Sequence, residues 1–212
     1  VMKGKEDLSR LKEAGTERIG VAIDAAIPRL FEKYRGREVK GPHNWDKYWQ
    51  TMEDAVDIFG PYMVGTHLIV GLGETEKEMV EAIAKAYELK VLTHLFSFFP
   101  EAGSPMQNHP QAPLGQYRRI QLARYLINDK NFDPQLIHYN AEGRITDFGI
   151  DIEDTIKEGM AFMTSGCPNE DGMVACNRPF ANERASQRLR NYPFKPNEED
   201  INLIRSQIWA GQ

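Results

Sequence analysis

The chain has 212 residues, 41% of them hydrophobic, and a formal net charge of −5; it can bury one core with an appendage, and it is too acidic overall for a protein that works by neutralising nucleic-acid phosphates. Its longest apolar stretches, 67–72 and 91–99, are interrupted by Thr, His and Ser and fall short of a membrane span. No basic segment followed by an apolar one marks a secretory leader, so neither nucleic acid nor membrane is an expected partner and cytoplasm is the expected compartment.

Residues 5–14 are charged, with Leu8 and Leu11 at helical spacing and Gly15 as a stop. Residues 18–24 are short, β-branched and closed by Asp24, which reads as a buried strand. A helix over 25–34 follows, with Ile27, Leu30, Phe31 and Tyr34 on one face and Pro28 tolerated in its first turn. After Gly41-Pro42, Asn44 can cap a helix whose Trp45, Tyr48, Trp49, Met52, Val56 and Phe59 recur at steps of three and four, as core packing does. Beyond Gly60-Pro61, a strand over 63–70 runs into Gly71-Leu72-Gly73-Glu74. Thr75 and Glu78 then form a capping box for an amphipathic helix ending near Lys90. Another strand, 91–99, closes on Pro100, and past a Pro-rich loop 116–128 reads as a helix with Tyr117, Ile120, Ala123 and Ile127 inward. Strands alternating with helices predict βαβ units and a parallel sheet, open or part of a barrel.

Near Phe132 the pattern breaks, which divides the chain into 1–132 and 133–212. A strand-like piece over 143–149, a short helix over 152–158, a loop holding both cysteines and a Pro-punctuated basic stretch lead to a last helix capped by Asn197. Cys167 and Cys176 are too few for a secreted disulfide framework; metal ligation or reactive thiols fit better, with zinc, a disulfide or plain buried thiols as alternatives. Arg178, Arg184, Arg188, Arg190 and Lys195 crowd one stretch, as a solvated basic face or as a surface for an acidic partner.

In parallel α/β folds ligands bind at the carboxyl ends of the strands. Here those ends carry Asp24, the Gly71–Glu74 turn, and Phe98 with Phe99. A carboxylate for ribose hydroxyls, a glycine turn open to a flat ring and aromatic walls make the inventory of a nucleoside pocket, although glycines serve helix-initiating turns equally well. His67 and His94 fall on neighbouring strands beside that pocket, to orient a ligand or to fill core. His43, His109 and His138 lie in loops and receive no role.

Ile69-Val70-Gly71-Leu72-Gly73-Glu74-Thr75 resembles the fifth-strand motif of radical S-adenosylmethionine (SAM) enzymes, closest in form to the biotin synthase and lipoyl synthase branch, with His67 where that pattern usually has glycine. Val21-Ala22-Ile23-Asp24 resembles the fourth strand, and His94-Leu95-Phe96-Ser97-Phe98-Phe99-Pro100 with Gly103-Ser104-Pro105 the sixth. The resemblance spans 8–128 and implies an α/β fold, the C-terminal half of a partial (βα)6 TIM-type barrel with a C-terminal extension. It places Asp24 on the ribose of SAM, Ile69 against the adenine, and Gly71, Glu74 and Phe98 around them. The family's Cys-x3-Cys-x2-Cys loop for a [4Fe–4S] cluster is absent from this sequence. The resemblance thus implies a missing N-terminal part, without which the chain would be inactive.

Thr164-Ser165-Gly166-Cys167-Pro168, Ala175-Cys176-Asn177-Arg178-Pro179 and Arg190-Asn191-Tyr192-Pro193-Phe194 resemble the tail of the biotin-synthase-like subunits of two-component lipoyl synthases. That implies sulfur insertion into an octanoyl chain on a carrier protein through a 5′-deoxyadenosyl radical. It further implies an auxiliary [4Fe–4S] cluster at Cys167 and Cys176, substrate contacts from His67, His94 and Arg178, an acidic lipoyl carrier docking on the basic tail, and a second lipoyl synthase subunit. A different biotin-synthase-like reaction on a small molecule and a non-catalytic scaffold subunit are the competing readings.

Overall fold

The computed structural model describes residues 4–168, 174–176 and 178–210. Strands β1 (Ile19–Gly20), β2 (Val64–Val70) and β3 (Val91–Ser97) form a parallel sheet in that order, with His67 opposite His94 and Ile69 opposite Phe96. Helix α1 (Lys5–Glu13) precedes the strands, α2 (Pro28–Tyr34), α3 (Trp45–Phe59) and α4 (Glu76–Glu88) connect them, and α5 (Leu114–Lys130) follows the last. This is the expected α/β alternation; three strands do not by themselves make a barrel.

In β2 and β3 burial alternates along each strand. With a period of two, Val64, Thr66, Leu68 and Val70 turn to the core, and β2 packs on α3 while β3 packs on α4 and α5. Gly65, His67, Ile69, Leu92, His94 and Phe96 share the other, half-exposed face. Among the described residues no helix is long and apolar enough to cross a membrane.

The strand expected over 18–24 is shorter than its composition promised. Only Ile19 and Gly20 pair continuously with β2, and contact resumes at a bridge between Asp24 and Leu68. Four residue steps from Gly20 to Asp24 oppose three from Gly65 to Leu68, so the segment bulges by one residue before Asp24, which sits in the left-handed region at φ 64 and ends the run. The next helix starts at Pro28, after an extended Ile27, because proline suits the first helical position and holds its predecessor out of the helix. The expected caps are all made: Asn44 accepts from the Lys47 amide, and Thr75 and Glu78 exchange bonds across the first turn of α4.

Beyond α5 come a hairpin of β4 (His138–Tyr139) and β5 (Ile145–Asp147), α6 (Glu153–Glu158), a second hairpin of β6 (Cys167–Pro168) and β7 (Val174–Cys176), and α7 (Glu198–Ile208), which Asn197 caps. This extension covers the side of α5 turned away from the sheet, so α5 is buried nearly all round, Arg118, Arg119 and Gln121 included. Arg119 forks onto Glu76 (Nη2 to Oε1 2.5 Å, Nε to Oε2 2.9 Å) and donates to the Ile208 carbonyl, while Glu76 Oε2 also accepts the Ile145 amide at 2.9 Å. One buried ion pair therefore fastens α4, α5, β5 and the end of α7. Such a pair repays its desolvation only with geometry this complete.

Candidate functional site

Three groups of residues meet at the carboxyl ends and the half-exposed face of the sheet. The first is Asp24, whose peptide is locked between the His67 carbonyl and the Ile69 amide. Arg35 Nη1 reaches its Oδ2 at 2.5 Å and also bonds the Ala22 carbonyl. Arg35 in turn donates to Tyr48 Oη at 3.1 Å, and Tyr48 Oη lies 2.9 Å from His43 Nδ1. Burial pushes the Asp24 carboxyl up, and Arg35, His67 and His43 pull against it.

The second group is the turn after β2. Gly71 has φ 104, and a Cβ there would stand 3.0 Å from that of Ala112, so only glycine suits the position. The buried Glu74 folds back to accept the Gly71 amide at 2.7 Å and the Leu72 amide at 2.9 Å. His109 Nε2 lies 2.8 Å from the Gly71 carbonyl, and Tyr34 donates to the Leu72 carbonyl at 3.2 Å. The Phe98 ring stands edge-to-face on His109, with centroids 4.9 Å apart. Glu74 thus shapes the turn from within, and its carboxylate is occupied by backbone. What the turn offers a flat ligand is its surface, flanked by Tyr34, His109 and Phe98.

The third group lies on the half-exposed face, where His67 contacts both His94 (centroids 5.9 Å) and Phe96 (5.0 Å). The His94 ring crosses above Gly65, where a Cβ would meet its Nε2 at 2.9 Å. Burial pushes His94 down to about 4, with the charges of His67, Arg124 and Arg18 adding to it. His67 is lowered too, by burial first; Asp24 opposes this and Arg178 reinforces it, so both His67 and His94 are neutral near pH 7. The C-terminal extension lies over this face. Ser165 Oγ is 3.0 Å from His94 Nδ1, Asn182 donates to the Ser97 carbonyl at 2.8 Å, and Arg184 stacks over Phe99. Cys167, a free and partly exposed thiol, shares with His67 and His94 a cleft of about 120 Å³ near the start of the strands.

Of the residues singled out from sequence, Asp24, Ile69 and His67 are neighbours, Gly71, Glu74 and Phe98 form the turn and its wall, and Cys167 and Arg178 come from the tail to the His67–His94 face. Cys167 and Cys176 are register partners across the β6–β7 hairpin; residues 169–173 between them lie outside the described set. Arg35, His43 and His109 have no role legible from sequence, and Tyr48 reads there only as part of a core-packing stripe. A histidine in a Pro-rich loop carries no periodic signal, and Arg35 looks like a surface charge at the end of an amphipathic helix.

A radical-generating [4Fe–4S] cluster needs three thiolates in one loop, and the sequence has two cysteines in all. Among the described residues no group of three or more His, Cys, Asp or Glu is placed to hold a metal ion. The residues present do not fit that cluster.

No family model matches the chain, and no solved structure does. Over 67 residues it is 30% identical to GTP 3′,8-cyclase from Acaryochloris marina (strain MBIC 11017), a radical SAM enzyme. The match takes in 31% of this chain and 20% of that protein, so the chain spans about a fifth of the relative's length. It supports a radical SAM relationship and does not reach the lipoyl synthase branch.

Proposed function

We propose that the chain is the later half of a radical SAM barrel whose roof is its own C-terminal extension, and that it belongs to a lipoyl-synthase-like enzyme inserting sulfur into an octanoyl chain on a carrier protein. The observation that carries the reading is the convergence of Asp24, the glycine turn with its Tyr34, His109 and Phe98 walls, and Ile69 at the carboxyl ends of parallel strands. In this reading Asp24, oriented by Arg35, takes the ribose hydroxyls of SAM. Ile69 and the Gly71 turn meet the adenine, with Glu74 holding the turn. His67, His94 and Arg178 line the substrate side, and Cys167 and Cys176 are ligands of an auxiliary Fe–S cluster completed from elsewhere. The radical-generating cluster belongs to polypeptide outside this sequence, and a second lipoyl synthase subunit and a lipoyl carrier are the partners. The likeness to GTP 3′,8-cyclase favours radical SAM chemistry in general, so a different radical SAM reaction on a small molecule is the second reading.

Equilibrium dialysis with labelled SAM tests the nucleoside site: the chain binds, and Asp24→Asn binds at least tenfold more weakly while unfolding at the same temperature. Equal binding by both would sink the assignment of Asp24. Anaerobic reconstitution with iron and sulfide tests the tail: a Cys167→Ala, Cys176→Ala double variant that retained all the iron of the parent would remove the auxiliary cluster.

A further inference from the structure

Arg190 and its neighbours carry positive charge that the chain answers with one nearby carboxylate, Glu183. The Arg190 guanidinium is half-buried over the Tyr117 ring at 5.8 Å, makes no hydrogen bond or ion pair among the described residues, and has a fully buried Nη1 without a partner. Below it, Arg118 is wholly buried and spends its donors on neutral acceptors alone: Gln207 Oε1 at 3.0 Å, Gln121 Oε1 at 2.8 Å, and the carbonyls of Leu189 at 2.7 Å and Arg190 at 2.5 Å. Both arginines belong to one corner, where the stretch 189–191 crosses α5.

That corner holds a cleft of about 240 Å³ lined by Gln111, Leu114, Glu183, Gln187, Arg188 and Arg190. Glu183 is the one carboxylate in the lining, and the amides of Arg190 (3.0 Å) and Asn191 (3.4 Å) and the Asn191 side chain (3.3 Å) occupy it. Arg188 is exposed and Gln111 donates to Ser97 Oγ at 3.4 Å, so the cleft opens beside the carboxyl end of β3. Three guanidinium groups against one engaged carboxylate leave a net positive hollow. A guanidinium withdrawn from water without an acceptor is unfavourable, and its planar fork matches an oxyanion.

We propose that this cleft binds a small oxyanion, a phosphoryl or carboxylate group, gripped by Arg188 and Arg190 with the Gln111 and Gln187 amides beside it. The site is independent of the radical SAM reading, since it needs neither a cluster nor a nucleoside.

Thermal unfolding of the full chain, followed by circular dichroism, tests it in inorganic phosphate, sodium acetate or sodium chloride at one ionic strength. A ligand bound only by the folded state raises the Tm with the logarithm of its concentration. The expected result is a rise of several degrees over chloride with at least one of the two oxyanions; phosphate alone identifies a phosphoryl site, acetate alone a carboxylate site. Arg190→Gln abolishes that rise and Arg188→Gln weakens it. Without oxyanion, Arg190→Gln unfolds at the same temperature as the parent or higher, because a half-buried guanidinium whose Nη1 has no hydrogen-bond partner has gone, which separates lost binding from damaged folding. No rise over chloride in the parent, or an undiminished rise in Arg190→Gln, overturns the proposal.

Discussion

Replacing Glu76 by alanine should cost more stability than most single changes this chain can suffer. The change strands Arg119, whose side chain is 3% exposed, with the Ile208 carbonyl as its remaining acceptor, and it leaves the Ile145 amide without one. Breaking a buried pair by removing one partner costs about 3–5 kcal/mol. An orphaned buried amide adds about 1–3 kcal/mol. Against a total stability of about 5–15 kcal/mol, such a loss leaves little in reserve. Urea denaturation followed by circular dichroism reads it directly. With a slope of about 1–3 kcal/mol per molar urea, a 4 kcal/mol loss moves the midpoint down by more than 1 M. A Glu76→Leu, Arg119→Met double variant should recover part of the loss, since no charge then stays buried alone. A single variant whose midpoint matched the parent's, or a double variant worse than the sum of its singles, would refute the view that this pair fastens the extension to α4.

Two further outcomes follow from the half-exposed face. Gly65→Ala puts a Cβ 2.9 Å from His94 Nε2, so the ring, which Ser165 holds at Nδ1, must shift; a loss of about 1–3 kcal/mol is expected, with a displaced His94 resonance in NMR spectra. Unchanged chemical shifts would count against the packing described. His94 is lowered from 6.5 to about 4 in the folded state, so between those values the unfolded chain binds more protons, and stability is lost as pH falls through that window by up to about 1.4 kcal/mol per pH unit from this group. His94→Gln should flatten the pH profile of the urea midpoint between pH 6.5 and 4; an identical profile would show that His94 is not the group responsible.

Elements whose signals are local could be read from the sequence. Asn44, Thr75 with Glu78 and Asn197 cap helices because a side chain three residues away decides the matter, and β2 and β3 show in their runs of branched and aromatic residues. The early end of β1 is not legible because the segment bulges by one residue against β2 before Asp24, whose left-handed backbone is held by tertiary contacts to His67 and Ile69. The polar side of α5 was missed for a similar reason. Arg118, Arg119 and Gln121 look solvated by spacing, and they are buried only because the extension returns to cover them. In the candidate site, Asp24, Gly71 and Phe98 were legible from their place at strand ends. Arg35 and His109 reach those residues from helix-end and loop positions that no periodicity marks, Tyr48 from a helix stripe that reads as core packing, and Glu74 is a brace for its own turn.

Two asparagines have a consequence for how the sheet ends. Among the described residues no strand pairs with the outer edge of β3 in this sheet, and a bare parallel edge invites pairing with another chain. Asn128 on α5 donates to the Thr93 carbonyl at 3.3 Å, and Asn182 in the tail to that of Ser97 at 2.8 Å. Two of the acceptors an intruding strand would need are already taken by side-chain amides from the same chain. The segment that roofs the candidate site thus also guards the sheet against its own neighbours, and a chain cut before Asn182 would lose its roof and gain a sticky border at once.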